Sequence, residues 1–357
     1  MPQWNGLAAR ALEDNAYYSP KYALSLLETV ESRKVSFLTL WQGEMLMALL
    51  PFTRPRFGLP GLLPGGSAWQ TLYTFNCMPL LDRNDVAGVA NALVKAIGQI
   101  RGGDWMIPQI YLEGPTFVAL AAAFSHHRVA WQAQAPFERA FLSAGKTFEA
   151  HMQDNISSKR RRDLARSLRK LEELGTVTYE SHTDGAGLEK AVRAFLKIEA
   201  GGWKGQRGTA LDCRNDTREF ALRAFCSGRS GQSRADMLLL DGKPIAVGMM
   251  VQCGDTGYTV KGAYDEAYSS QSAGLLLEME VLKNFLTNPW VKQLDSATAG
   301  KHVIDQFWPE RRKVVNLGFS YAKFLPGKRL ELIELTARMR YLAKAGIKRY
   351  LGRFLKS

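Results

Sequence analysis

The first clear pattern along the chain is a hairpin. "VSFLTLWQGEMLMALLPFT", residues 35–53, sets two apolar runs around Gly43 and Glu44. It predicts two strands and a tight turn, not a membrane span. The second pattern is helical. Ile156, Leu164, Leu168, Leu171 and Leu174 fall near one face of "SSKRRRDLARSLRKLEELG", and Gly175 marks the stop. A β/α alternation follows: "TVTYES" as a strand, a helix over 186–200, and a helix over 216–227 with Asp216 as its N-cap. Three strands come next, "ADMLLL", "PIAVGMMVQC" and "TGYTVKGAY", joined by the turn sequences "DGKP" and "CGDTG". A helix from about 273 to 286, the strand "VKQLDSA", a short helix over 303–308, the strand "KVVNLGF" and a long helix over 326–357 complete the chain.

This order predicts a mixed α/β fold. The hairpin at 35–53 has the layout of "ADMLLLDGKPIAVGMMVQC", residues 235–253. An internal duplication is therefore expected, with domains over 1–150 and 151–325 and a C-terminal helix over 326–357. The length of 357 residues suits two domains, and 46% hydrophobic with 23% charged residues is a folded composition. None of the four cysteines forms a C-x-x-C pair, so neither a zinc ribbon nor a disulfide framework is expected. The five histidines lack metal-ligand spacing, and there is no G-x-S-x-G elbow. The first residues lack a signal-peptide pattern, so a cytoplasmic protein is expected.

Charge changes the picture by its placement. Residues 157–175 hold seven Lys or Arg and three Asp or Glu, giving +4, and residues 323–357 hold ten and two, giving +8. Together they make +12 of the net +13. Nucleic acid, an anionic membrane and a polyphosphate ligand are the candidate partners. The basic helix lacks interleaved aromatics and any RNA-binding signature, so it reads as a packed amphipathic helix or a phosphate contact. In the C-terminal helix Leu332, Leu335, Met339, Ala343, Gly346, Tyr350 and Phe354 share one face, flanked by Lys and Arg. That stripe suits either an anionic membrane surface or packing on the protein itself.

Candidate chemistry centres on Glu199. Leu188, Ala191, Val192, Phe195 and Leu196 make the apolar face of its helix, and Glu199 falls within that face. Burial there is expected to raise its pKa, as a general base requires, unless it pairs with Lys204. "GGWKGQRGTAL" follows, in which Trp203 and Lys204 suit either a substrate wall or a docked surface loop. "SSQSAGLLL" joins a strand to a helix, and the N–H groups of Ser272, Ala273 and Gly274 are a candidate anion cradle.

"RRRDLARSLRKLEELG", "FLKIEAGGWKGQRGTAL", "DMLLLDGKPIAVGMM", "KGAYDEAYSSQSAGLLL" and "LDSATAGKHVIDQFW" resemble bacterial GNAT-superfamily acyltransferases. The group is the cellulose-biosynthesis (BioF2-like) acetyltransferases, related to FemAB-like transferases with tandem GNAT domains. The resemblance covers about residues 150–320, and Glu199, Trp203, Lys204 and Gly205 are its most specific part. It implies tandem mixed-sheet domains, acyl-CoA (acetyl or longer) as donor, no metal, and an amine acceptor on a glycan precursor or lipid. The amine attacks the thioester, a backbone N–H of the central strand polarises its carbonyl, and the pyrophosphate lies at Ser270, Gln271, Ser272, Ala273 and Gly274. It further implies catalytic roles for Glu199, Tyr264 and Asp295, and substrate contacts for Trp203, Lys204, Lys261 and His302. "SSQSAG" departs from the family's Q/R-x-x-G-x-G/A loop and keeps only Gly274. Two alternatives follow: a FemAB-like enzyme using aminoacyl-tRNA, or a non-catalytic ligand-binding protein of exopolysaccharide machinery. Apart from tRNA, nucleic acid is not expected, and a peripheral place on the inner membrane face is.

Overall fold

The computed structural model describes residues 2–54, 65–100, 103–226, 232–298, 300 and 302–339. In chain order the first elements are α1 (Pro2–Ala9), α2 (Pro20–Thr29), β1 (Val35–Gln42), β2 (Met45–Thr53), β3 (Gly66–Ala68) and β4 (Leu80–Leu81). Then come α3 (Val86–Gln99), β5 (Asp104–Tyr111), α4 (Pro115–His126), β6 (Ala130–Ser143), α5 (Phe148–Asn155) and α6 (Ser158–Glu172). They are followed by β7 (Val177–His182), α7 (Gly185–Gly201), α8 (Trp203–Gln206), α9 (Asn215–Ala221), β8 (Ser233–Leu240), β9 (Lys243–Cys253) and β10 (Thr256–Tyr264). The last are α10 (Ala273–Thr287), β11 (Gln293–Asp295), β12 (Glu310–Ser320) and α11 (326–339).

The chain divides into two compact units. One holds residues 33–137 and 313–339 of the described chain, with 10–13. In it β2 pairs antiparallel with β1, β3 and β4, β3 runs parallel to β5, and β5 is antiparallel to β12. The other unit holds 1–9, 14–32 and 138–312. Its antiparallel run β7–β8–β9–β10 continues through a parallel β10–β11 pair to an antiparallel β11–β6 pair. Each unit is thus a mixed, largely antiparallel sheet flanked by helices, the predicted α/β class.

The physical reasons are local. Asp241 and Gly242 both have positive φ (48° and 74°), which a tight β8–β9 hairpin requires. The basic helix α6 is capped by Ser157, whose Oγ accepts from the Arg160 N–H at 3.2 Å. It buries Leu164 and Leu171 among residues of β8, β9 and α10, while Leu174 is left 53% exposed. One expectation fails: Asp216 does not cap α9. Arg214 is the N-cap, and its guanidinium is tied to the Asp216 carboxylate inside the first turn. The predicted helix over 216–227 is instead an α-helix to Ala221 and a π-turn over Leu222–Cys226, with residue 227 outside the described chain.

Candidate functional site

Strand β10 is the axis of the site. Its register against β9 skips between Thr259 and Lys261, leaving Val260 as a bulge. Its parallel pairing with β11 runs only to Tyr258 and Asp295. Beyond that pair lies a cavity of about 510 Å³ between β9, β10, α10 and the 296–304 segment. Most of its wall is apolar, including Val247, Met250, Leu277, Val281 and Ile304. Two wall residues, Ser272 (φ 57°) and Ala297 (φ 50°), adopt the left-handed conformation that non-glycine residues avoid. Such strain is characteristic of binding loops.

On the α7 side of β10, both oxygens of the Glu199 carboxylate are engaged. Oε1 accepts from Lys261 Nζ at 2.8 Å and Lys204 Nζ at 3.1 Å, and Oε2 accepts from the Leu211 N–H at 2.8 Å. Burial pushes its pKa up, but the Lys261 ammonium, the Leu211 N–H and Lys204 together pull it further down. The net direction is below the ordinary carboxylate value, the opposite of the expected raised pKa. Lys261 is itself lowered, by burial first, with Glu199 opposing and Lys204 adding to the fall. The carboxylate joins α7, the 203–211 loop and β10 in one node.

The loop needs its glycines. A Cβ on Gly205 would lie 1.7 Å from the Ala200 carbonyl oxygen, so no other residue fits. Glu266 accepts from the Trp203 N–H at 2.8 Å and fixes the start of α8. Trp203 is half-exposed, with the Arg207 guanidinium 5.1 Å from its ring centroid. A small cleft of about 60 Å³ brings Glu199, Trp203, Lys204 and Tyr264 together.

On the α10 side the chemistry differs. Asp236, Gly248 and Gly262 stand in register across β8, β9 and β10, and Gly248 faces Leu277 of α10. The two glycines leave room beneath the helix, and Glu278 lines it. No hydrogen bond or ion pair among the described residues engages its carboxyl. Burial, and then the neighbouring Asp236 carboxylate, push its pKa up to about 7. Asp236 itself is held by Arg234 and by the Tyr179 hydroxyl.

The other candidates sort by location. Lys261, Tyr264, Ser272, Gly274 and His302 line the large cavity. His302 also caps the short helix Val303–Gln306, its Nδ1 accepting from the Ile304 N–H at 3.3 Å, and burial lowers its pKa. Asp295 does not line the cavity. It is fully buried, facing Arg139 at 3.5 Å and accepting from the Ala297 N–H at 2.7 Å, so it shapes the wall from behind. Ala273 is buried, while Ser270 and Gln271 bond to each other at 2.7 Å. Ser272 N–H donates to Ser269 C=O at 3.0 Å and so is not a free cradle donor. Ala273 and Gly274, at the helix start, have no intrahelical acceptor for theirs. A Cβ on Gly274 would come within 3.2 Å of the Tyr264 ring, so the glycine allows that close approach.

A second cavity, of about 290 Å³, joins this loop to the basic helix. Arg160, Arg166, Ser167 and Lys170 of α6 face Ser270 and Ser272 across it. Arg160 Nε is buried with no hydrogen-bond partner. The described residues hold no cluster of three or more His, Cys, Asp or Glu able to bind a metal.

Glu278 was not among the sequence candidates, though a signal was there. Around the helical wheel it falls between Phe285 and Leu282, inside the apolar arc of "AGLLLEMEVLKNFL". The facing of α6 to the 270–272 loop has no sequence signal, because the two lie about a hundred residues apart.

Comparison with known proteins agrees with this geometry. Residues 158–300, which include α6, Glu199, β10 and α10, match the family model described as an acetyltransferase (GNAT) domain. Among solved structures, FemX superposes with a TM-score of 0.58 at 11% identity, over 93% of this chain and 98% of that one. L-PGS from Bacillus licheniformis gives 0.52 at 13%, over 89% and 95%. A conserved protein of unknown function from Bacteroides thetaiotaomicron gives 0.57 at 9%, over 89% and 96%. Identities this low establish a shared fold. No curated protein matches the sequence. Residues 158–300 are thus similar to a GNAT acetyltransferase domain, and the chain shares its fold with FemX and L-PGS.

Proposed function

We propose that the protein is an N-acyltransferase that moves an acyl group from acyl-CoA to an amine, in the manner of the cellulose-biosynthesis-type acetyltransferases it resembles. The observation that carries this reading is the large cavity that opens beside β10 where its pairing with β11 ends, with the cationic cavity meeting the same 270–275 loop. An elongated donor with an anionic head and a thioester tail fits this pair. The buried, partnerless Arg160 Nε, with Arg166 and Lys170, suits the phosphates, and the helix-start N–H groups of Ala273 and Gly274 add to it.

The bulged backbone at Val260 is the proposed carbonyl-polarising element. The amine nitrogen bonds to the acyl carbon, the carbon–sulfur bond breaks, and Tyr264 delivers a proton to the leaving thiolate. The amine's proton goes to the Glu278 carboxylate, whose pKa of about 7 suits exchange near neutrality. Glu199 holds Lys204 and Lys261 in place, and with Trp203 and His302 they form the acceptor side. Asp295 acts through the 296–298 wall. The acceptor class is an amine on a glycan precursor or a lipid.

A second reading, transfer from aminoacyl-tRNA, is favoured by the cationic α6 cavity and by the fold shared with FemX and L-PGS. Isothermal titration separates the two. Micromolar CoA binding, weakened at least about tenfold by Gly274→Asp, supports acyl-CoA. Absence of CoA binding, with activity that needs charged tRNA and falls steeply with salt, supports the alternative.

A further inference from the structure

Helix α11 has two faces, and only one is used. Leu330 and Ile333 are buried at 1% and 3% exposure. On the same side the Glu334 carboxylate accepts from Gln132 Nε2 at 3.3 Å and the Ala135 N–H at 3.2 Å, and Leu330 C=O accepts from Gln134 Nε2 at 3.0 Å. Arg329 pairs with the buried Asp104. These contacts fix the helix on its own unit. Leu332, Leu335 and Met339 lie on the opposite side and are 41%, 53% and 61% exposed. In the described part of the helix the packing is done by Leu330 and Ile333, while Leu332, Leu335 and Met339 keep much of their surface exposed. Ala343, Gly346, Tyr350 and Phe354 lie outside the described residues.

Two further apolar side chains stand at the helix entrance. Phe324 is exposed, and Leu325 is exposed while held at φ 44°, a left-handed backbone that leucine rarely adopts. Leu325 keeps that conformation while its C=O accepts from the Arg329 N–H at 3.1 Å. Strain that keeps an apolar side chain in water points to a partner for that side chain. The charge nearby names the partner's sign. Lys323, Lys328 and Arg338 accompany the stripe against one exposed acid, Glu331, and residues 340–357 add six Lys or Arg and no Asp or Glu.

We infer that Phe324, Leu325 and the Leu332–Leu335–Met339 face of α11 form a docking surface for an anionic lipid bilayer. The apolar side chains enter the headgroup boundary and the surrounding cations meet lipid phosphates. The inference stands apart from the acyl-transfer reading, because every residue it uses lies in the other unit.

The test is sedimentation of the full chain with vesicles of phosphatidylcholine alone or with 30–40 mol% phosphatidylglycerol, roughly the anionic content that gives a cytoplasmic-leaflet potential. Binding is expected only to the anionic vesicles, and it should weaken as salt rises. Leu335→Gln with Met339→Gln changes side chains that are 53% and 61% exposed and leaves Leu330 and Ile333 in place, so the variant should stay folded by circular dichroism while its vesicle affinity falls at least about tenfold. Failure to bind anionic vesicles at low salt overturns the inference. So does equal binding to both vesicle types, or a double variant that binds as wild type. A salt-resistant dimer in solution that the double variant abolishes, without vesicle binding, makes the face a self-association surface and also overturns it.

Discussion

The two sides of strand β10 treat a glutamate in opposite ways. Toward α7, Glu199 is 2% exposed and both carboxylate oxygens are engaged, by two ammonium groups and a backbone N–H. Toward α10, Glu278 lines a mostly apolar cavity with the Asp236 carboxylate as its charged neighbour. Burial acts in the same direction on both. The partners decide the outcome, so Glu199 is held ionised below the ordinary range while Glu278 rises to about 7. A buried carboxylate on an apolar face is therefore not by itself a base. Its hydrogen bonds determine whether it holds structure or exchanges protons.

The sharpest way to break the α7 side is Gly205→Ala. The new methyl meets the Ala200 carbonyl, and the 203–211 loop cannot keep its path. A stability loss of more than about 3 kcal/mol is expected, read by urea unfolding. Next is Glu199→Gln, which strips both lysines of their counter-charge in a buried node. It should lower stability by about 2–3 kcal/mol in the same assay. A variant with wild-type stability and reduced turnover alone would return Glu199 to the role of base.

Glu278→Gln is the matching test on the other side. It should lower kcat by about 10²-fold while leaving the fold intact. The wild-type rate should rise with pH through about 7 as the carboxyl ionises, and the variant should lack that limb. Smaller is the effect of Arg166→Glu with Lys170→Glu, which reverses charge in the α6 cavity. A rise in donor KM of roughly tenfold is expected, with kcat nearly unchanged.

The smallest effect is on stability against pH. Glu278 has a folded pKa above its ordinary value of 4.5. The folded state thus binds its proton more tightly, and that contribution is complete below about 4.5 and lost as pH rises through about 7. Thermal unfolding at pH 5 and pH 8 should show a larger drop for wild type than for Glu278→Gln.

Much of the fold was legible because its signals are local. The β7-to-β10 order follows from alternation and turn residues, and Asp241-Gly242 marks the hairpin with two left-handed residues. The position of Glu199 on an apolar helix face was legible for the same reason. Its ionisation was not, since that depends on Lys261, 62 residues away. The resemblance implied a catalytic role for Asp295, but its Arg139 partner lies 156 residues back in sequence. Long-range pairing, which periodicity does not encode, separates a structural carboxylate from a reactive one.

The contrast between the two glutamates is most directly tested by a carboxyl-carbon NMR titration of the full chain with ¹³C-labelled glutamate, assigned through Glu199→Gln and Glu278→Gln. The account predicts a Glu278 resonance that titrates near 7 and a Glu199 resonance that stays ionised to below the ordinary carboxylate range. A Glu278 resonance that titrates in the ordinary range, or a Glu199 resonance that titrates above it, would contradict the account.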